Sequence, residues 1–191
     1  MIKMIGWHQS PDLRLKGEDM EIWDGYTVDK QLAGVDIIRE EEFTREWSSL
    51  GLYHLVSDII VRHSDGTWLV MQRDFAKEGH PGEWELGAGG SVLKGESAYQ
   101  GAVRELYEET GIASDELTLL KEITTVHSNG VGVHYSIYLC ETDVSKTAIK
   151  LQAGETVDFK WLTDDEIRAG AYIPDRRREL VLQLMEEKDA H

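Results

Sequence analysis

The sequence predicts a layered domain of the α+β or α/β class, in which a sheet of long strands packs against helices. Apolar and β-branched runs of strand length recur along most of the chain, and one helical segment with a regular apolar stripe lies among them. The 191 residues, 41% of them hydrophobic and 29% charged, suffice for one compact domain with its own core.

The first 50 residues are predicted to form an N-terminal extension, and residues 51–191 the main domain. Within the extension, residues 21–26 and 35–40 are β-like runs joined by a polar stretch that ends at Gly34, which predicts a β-hairpin. A short amphipathic helix is then predicted from apolar residues at helical spacing: Phe43, Trp47 and Leu50.

Further strands are predicted in the main domain at residues 53–62, 68–73, 83–86, 117–127, 133–142 and 157–162. The pair Asp65-Gly66 predicts a hairpin between the first two of them. Residues 97–110 are predicted to form a helix that ends at Gly111. Two more helices are predicted at residues 164–169 and 175–188, the first of them capped by Thr163.

The composition excludes several classes of function. With 20 Lys and Arg against 36 Asp and Glu, the formal net charge is −16, which argues against electrostatic binding to nucleic-acid polymers or anionic membranes. One cysteine, Cys140, excludes an intrachain disulfide. No apolar run approaches the roughly 20 residues that span a bilayer, and the start MIKMIGWHQS lacks the features of a signal peptide. We therefore expect a cytoplasmic protein.

Three glutamates share one side of the predicted central helix. At 100° per residue, Glu105, Glu108 and Glu109 point about 120° away from the apolar stripe. The stripe contains Tyr99, Ala102, Val103, Leu106 and Thr110. Like charges this close repel one another unless a cation lies between them, and hard divalent ions prefer carboxylate oxygens. The pattern predicts a site for Mg2+ or Mn2+, with a solvated helix face as the alternative.

These glutamates belong to a longer pattern. Gly90 is followed after five residues by Glu96, and after seven more by the run RELYEETGI, which spans residues 104–112. The pattern resembles the Nudix box, G-x5-E-x7-R-E-U-x-E-E-x-G-U with U apolar, at every fixed position. The resemblance implies the Nudix fold, an α/β/α sandwich with a mixed sheet between helices, here with an N-terminal β-hairpin extension. It also implies a Mg2+-dependent hydrolase that cleaves a diphosphate linkage in a small nucleoside-diphosphate-type substrate.

The resemblance implies roles for individual residues. The metal ligands would be Glu96, Glu105, Glu108 and Glu109. Arg104 would orient a box glutamate, and either Glu105 or Glu155 would take the proton of the attacking water. Arg73 and Trp84 are candidate substrate contacts. A surface salt bridge for Arg73, a packed role for Trp84 and a plain loop carboxylate for Glu155 are the alternatives.

Two other functions remain open from the sequence. The segments WDGY at residues 23–26 and YHL at residues 53–55 resemble the isopentenyl-diphosphate isomerase-like branch of the family. That isomerase chemistry uses a cysteine upstream of the box, whereas Cys140 follows it. A non-catalytic Nudix-fold binding module is the third reading, although the box retains every carboxylate. The expected partner is a small diphosphate compound, and a homodimer is an open expectation for assembly.

Overall fold

The structure is a computed structural model that describes residues 21–39, 50–77, 79–128, 130–170, 172 and 175–189. The helix predicted around Phe43 and Trp47 lies outside the described residues. Within these ranges the chain forms nine strands and three helices. In chain order they are β1 (Ile22–Tyr26), β2 (Leu32–Ile38), β3 (Tyr53–His63), β4 (Trp68–Arg73), β5 (Trp84–Leu86), β6 (Ala88–Ser91), α1 (Ala98–Thr110), β7 (Leu117–Val126), β8 (Gly132–Thr142), β9 (Thr156–Leu162), α2 (Asp164–Arg168) and α3 (Asp175–Asp189).

All nine strands belong to one mixed sheet with β3 at its centre. On one side β3 runs parallel to β8, from the pair Tyr53 and Gly132 to the pair His63 and Thr142. On its other side β3 meets β1, β6 and β4 in turn, each antiparallel. β4 continues to β5 and β9, and β7 flanks β8. The predicted mixed sheet is confirmed.

Helices cover both faces of this sheet. Ala102 and Leu106 of α1 pack on one face against a cluster that includes Ile59. Ile167 of α2 packs on the other face against a cluster that includes Ile60. Successive residues of a strand point to opposite faces, so β3 supplies both cores from neighbouring positions. The predicted α/β/α sandwich is confirmed.

Local side-chain contacts set the helix ends. Ser97 caps α1: its hydroxyl accepts from the backbone N–H of Gln100, whose side chain accepts in return from the Ser97 N–H. Gly111 ends α1 in the left-handed conformation at φ 73°. Thr163 and Glu166 form the same capping box at α2. Among the described residues, none of these helices is long and apolar enough to cross a membrane.

Strand β6 is an element that the sequence analysis missed. Its glycine-rich sequence lacks the β-branched and aromatic residues that mark strands. Glycine is required here because β6 lies very close to β3: a Cβ on Gly89 would be 2.8 Å from the carbonyl oxygen of Ser57. At Gly87, where φ is +64°, a Cβ would lie 1.8 Å from the carbonyl oxygen of Ile59. The close approach of the two strands therefore explains why a strand at this position is rich in glycine.

The predicted hairpin forms, but its second strand begins earlier than expected. β2 starts at Leu32, because a tight turn in which the Thr27 N–H donates to the Gln31 carbonyl at 2.9 Å reverses the chain. Gly34, predicted to end the connection, lies inside β2 at φ +69°. The hairpin contributes its own small core around Trp23 and reaches β3 through β1.

Candidate active site

Arg104 lies at the centre of the box carboxylates. Its Nη1 donates to Glu105 Oε1 at 2.7 Å and to Glu108 Oε2 at 3.1 Å. Its Nε and Nη2 donate to the two carboxylate oxygens of Glu96, each at 3.0 Å, and Nη2 also reaches the carbonyl of Ser91. The structure thus brings three predicted metal ligands together around one guanidinium.

Glu109 is held separately, on the side of α1 that faces β6. Its Oε2 accepts a hydrogen bond from the Gly89 N–H at 3.1 Å, and the residue is only 9% exposed. The helical wheel placed Glu109 on a polar face, but strand β6 covers that side of the helix. Glu109 is therefore a buried carboxylate at the edge of the sheet, while Glu108 is the exposed member of the set.

The site carries more negative charge than Arg104 offsets. Burial, together with the charge of Glu105, raises the pKa of Glu109 to about 8, and the Gly89 N–H opposes this rise only in part. Burial also raises the pKa of Glu105, although Arg104 acts in the opposite direction. Burial alone would lower the pKa of Arg104, but its bonds to Glu96 and Glu105 raise it above its ordinary value. A further cation would relieve this repulsion.

The donor set fits a hard divalent ion. Among the described residues, no three carboxylate, imidazole or thiol groups form a ready-made metal cage, since the box glutamates turn toward Arg104. The donors are nevertheless all carboxylate oxygens, as Mg2+ and Mn2+ prefer, and they are crowded and partly desolvated. Gly90 makes room for them: a Cβ at Gly90 would lie 2.4 Å from Glu105 Oε1. The residues present are therefore compatible with such an ion.

Glu155 lies at the border of this cluster, in the turn before β9. Its Oε2 pairs with Lys77 Nζ at 2.5 Å, and its carbonyl accepts from the Asp74 N–H at 2.8 Å. After burial and Glu105, the charges of Glu85 and Glu155 are further causes that raise the pKa of Glu109. The structure therefore brings Glu155 within electrostatic reach of the box, but pairs it with a lysine.

The two predicted substrate contacts lie apart from each other. Arg73 donates to the Gly79 carbonyl at 3.0 Å and to Glu85 at 3.3 Å. Trp84 faces the opposite side of the sheet, where it packs against the α3-side core and Lys160 lies 5.0 Å from its ring. The sequence analysis missed Glu85. Its position could have been predicted from the strand pattern: Glu85 follows Trp84 in β5, and neighbouring strand residues face opposite sides of the sheet.

A cavity of about 330 Å³ lies on that opposite face, between the sheet and α3. Its lining is mostly apolar, with Leu86 of β5 among it, and includes the charged side chains of Asp58, Lys121 and Glu179. Asp58 in the cavity wall lies close to Gly89, since its Oδ1 would be 2.7 Å from a Cβ on that residue. The Gly89 N–H in turn donates to Glu109 of the box. No sequence pattern predicted this cavity, because its walls come from separate elements.

Cys140 and His54 both lie in the core. Cys140 on β8 is fully buried beneath α1, and burial raises the pKa of its thiol. His54 stacks on Trp23 with ring centroids 4.4 Å apart, and burial, with help from His127 and His134, lowers its pKa to about 3. His54 is thus a core histidine, and Cys140 is not presented to a substrate.

The fold and the box together define a hydrolase domain of the α/β/α type. The sequence model of the NUDIX domain matches residues 52–184, so the chain belongs to the Nudix family. An uncharacterised Nudix hydrolase of Listeria monocytogenes is 33% identical over 159 residues, which are 81% of this chain and 89% of the relative. The predicted enzyme class, Nudix hydrolase, is confirmed.

Two solved structures share the fold. A protein of Deinococcus radiodurans has a TM-score of 0.66 at 20% identity, over 85% of this chain and 98% of that one. The NUDIX domain of Shewanella oneidensis NrtR, solved with ADP ribose, has a TM-score of 0.57 at 20% identity, over 71% of this chain and 88% of that one. Hydrolases of this family generally use a divalent metal ion.

Proposed function

We propose that this Nudix hydrolase cleaves a diphosphate linkage in a small nucleoside-diphosphate-type substrate and uses Mg2+. The observation that carries the proposal is the gathering of crowded, partly buried glutamates around a single arginine, which leaves unbalanced negative charge beside the glycines of β6. The ADP ribose bound to the NUDIX domain of NrtR is a compound of this kind. It supports the proposed substrate class by analogy.

The box glutamates Glu96, Glu105, Glu108 and Glu109 would hold the cation. Bound there, Mg2+ or Mn2+ would supply positive charge that offsets the diphosphate and favours attack by water at phosphorus. Arg104 keeps the ligand side chains oriented, because its fork bonds to three of them at once.

The reaction exchanges one bond at phosphorus for another. The water oxygen bonds to phosphorus, the bridging P–O bond breaks, and the leaving phosphate takes the electron pair. A carboxylate accepts the water's proton. Glu105 lies inside the carboxylate cluster, and Glu155 lies at its border, so both stay candidates for this base. Glu155→Gln separates the two, because Glu155 is not a proposed metal ligand: this variant should lower kcat at saturating Mg2+ if Glu155 is the base and keep a kcat near that of the wild type if Glu105 is the base.

The organic part of the substrate would occupy the cavity beneath α3. Its volume of about 330 Å³ lies within the range of small-molecule sites. Asp58 in the cavity wall and Glu109 of the box both lie against Gly89. Trp84 lies on this face, two residues from Leu86, and is the proposed contact for the organic group. Arg73 is the proposed phosphate contact on the box side, beside Glu85.

The partner proposed for this chain is a small diphosphate compound rather than a nucleic-acid polymer or a membrane, because the net charge is −16. The homodimer stays a prediction, which light scattering of the purified protein checks. An isomerase that depends on a cysteine is disfavoured, since the single cysteine, Cys140, is buried in the core.

A substrate panel tests the proposed function. The full chain with Mg2+ is assayed on nucleotide sugars, dinucleotides and nucleoside triphosphates in ¹⁸O-labelled water. We expect two phosphate-bearing products from at least one compound, one of them labelled. Glu109→Gln keeps the shape of the side chain and an acceptor for the Gly89 N–H but cannot become the carboxylate that would bind the cation, and should lower activity by about 100-fold or more. Glu116→Gln, on an exposed loop residue, is the matched control.

Three outcomes would overturn the proposal. If no compound is hydrolysed and Glu109→Gln behaves as the wild type, the hydrolase assignment is wrong. Turnover of isopentenyl diphosphate without incorporation of labelled oxygen would identify an isomerase. Tight, metal-independent binding without turnover would identify a binding module.

A further inference from the structure

The β1–β2 hairpin contacts the loop that carries Glu96. The Gly95 N–H donates to Asp24 Oδ2 at 2.8 Å. The neighbouring Lys94 N–H donates to the carbonyl of Ile22 at 2.9 Å. Two consecutive backbone amides of the box loop are thus bound by β1, which precedes the box by about 70 residues.

Two side-chain contacts join the same surfaces. Leu93 packs against the small core formed by Trp23 and Ile37 of the hairpin. Lys94 Nζ pairs with Asp36 Oδ2 on β2 at 2.6 Å, but these side chains are 52% and 48% exposed. Exposed ion pairs contribute little, so the backbone bonds and the apolar contact carry most of the attachment.

The position of this loop determines the position of Glu96. The Glu96 N–H donates to the Leu93 carbonyl at 3.0 Å, and the Leu93 N–H donates back to Glu96 Oε2 at 3.1 Å. Gly95, at φ +83°, closes the turn between them. Both carboxylate oxygens of Glu96 then accept from Arg104, which holds two further box glutamates. A shift of the Gly95 backbone therefore moves Glu96 relative to the rest of the cluster.

We propose that the β1–β2 hairpin is part of the active site and that Asp24 is a positioning residue for Glu96, acting through the Gly95 N–H. The inference rests on the proposed function, because it takes Glu96 as a ligand of the cation. It means that the domain boundary predicted at residue 50 divides two segments that act together.

The test compares three variants of the full chain. Asp24→Ala removes the acceptor of the Gly95 N–H, Asp24→Asn keeps an oxygen acceptor without the charge, and Asp29→Ala removes an exposed carboxylate in the turn of the same hairpin. Mn2+ affinity is measured by calorimetry, and amide hydrogen exchange at residues 93–96 is measured in the metal-free protein.

We expect Asp24→Ala to weaken Mn2+ binding about three- to tenfold and to speed exchange of the Gly95 amide about tenfold or more. Asp24→Asn should return both quantities most of the way to the wild-type values, and Asp29→Ala should leave both unchanged. Unfolding midpoints confirm that each variant is folded, and Asp24→Ser replaces Asp24→Ala if the latter does not fold.

Equal effects of Asp24→Ala and Asp24→Asn would assign the change to charge and contradict a positioning role. Wild-type Mn2+ affinity and exchange in all three variants would also contradict it, while the proposed hydrolase would stand. A wild-type chain that binds neither Mn2+ nor Mg2+ would instead overturn the proposed function. The exchange data would then still decide whether Asp24 holds the loop.

Discussion

Arg104 donates hydrogen bonds to three glutamates whose charges would otherwise repel one another. Lysine has the same charge but cannot reach three carboxylates with one fixed fork. We expect Arg104→Lys to lower the free energy of unfolding of the metal-free protein by about 1.5–3 kcal/mol, as is typical for hydrogen bonds to charged groups. Urea unfolding in the presence of a chelator measures this loss.

The same variant carries its own control. Mg2+ would neutralise the glutamates that Arg104→Lys leaves unpaired, so saturating Mg2+ should reduce the difference in stability between variant and wild type. An equal difference with and without Mg2+ would argue that Arg104 and the cation do not share these carboxylates.

His54 makes the stability of the fold dependent on pH. Its pKa is about 3 in the folded chain, below the unfolded value of 6.5, because burial disfavours the charged ring. The folded state therefore binds fewer protons than the unfolded state. The stability that depends on neutral His54 is fully present above pH 6.5 and is lost progressively as the pH drops toward 3. The expected slope from this one residue is about 1.4 kcal/mol per pH unit.

His54→Phe keeps a flat ring against Trp23 and removes the titration. Between pH 6.5 and 5, the variant should lose about 2 kcal/mol less unfolding free energy than the wild type, as measured by urea unfolding at each pH. Parallel curves for the two proteins would show that His54 is not held neutral in the fold.

At the scale of elements, the site depends on how closely β6 approaches α1. Gly90→Ala would place a methyl group 2.4 Å from the present position of Glu105 Oε1 and so displace that carboxylate. Because the φ angle of Gly90 is not in the left-handed region, we expect little backbone strain and a stability change below about 1 kcal/mol. Activity should fall about tenfold or more, since small misplacements of catalytic groups are costly.

Gly79→Ala is the matched control for that substitution. Gly79 also has an ordinary φ angle, and its added Cβ would meet no atom within 4 Å. Its activity should equal that of the wild type. Full activity in Gly90→Ala would mean that the observed orientation of Glu105 is not the one used in catalysis.

For the whole molecule, the net charge of −16 makes cations stabilising in two separable ways. Any salt screens the overall repulsion, whereas Mg2+ also binds the box. At a Mg2+ concentration about ten times its Kd, binding to the folded state should raise the free energy of unfolding by about 1.4 kcal/mol. For a chain of this size this corresponds to a rise of about 3–5 °C in Tm. NaCl at equal ionic strength should produce a smaller shift.

Glu109→Gln provides the control for this measurement. It retains the screening effect but lacks one proposed ligand, so Mg2+ and NaCl should shift its Tm by more nearly equal amounts. Equal shifts already in the wild type would contradict specific binding of Mg2+ at the box.

Patterns in the sequence were sufficient to predict most of the strands and helices. Period-two and helical patterning located the strands of the sheet and helix α1, and Ser97 and Gly111 mark where that helix begins and ends. Sequence patterns did not predict β6, because glycine has no side chain that would mark a strand. They also did not predict the start of β2, because the turn at residues 27–31 depends on backbone hydrogen bonds.

The sequence by itself determined a layered domain of strands and helices, which depends on local periodicity, and the box residues and the family, which depend on spacing along one segment. The α/β/α sandwich was implied by the resemblance to that family. Only the tertiary structure decided that Glu109 is buried against Gly89, that Trp84 faces away from the carboxylates, and that Asp24 accepts a hydrogen bond from the box loop. The physical reason is that burial and hydrogen-bond partners arise between segments distant in the chain. Sheet pairing around β3 brings those segments together, and no local pattern encodes it.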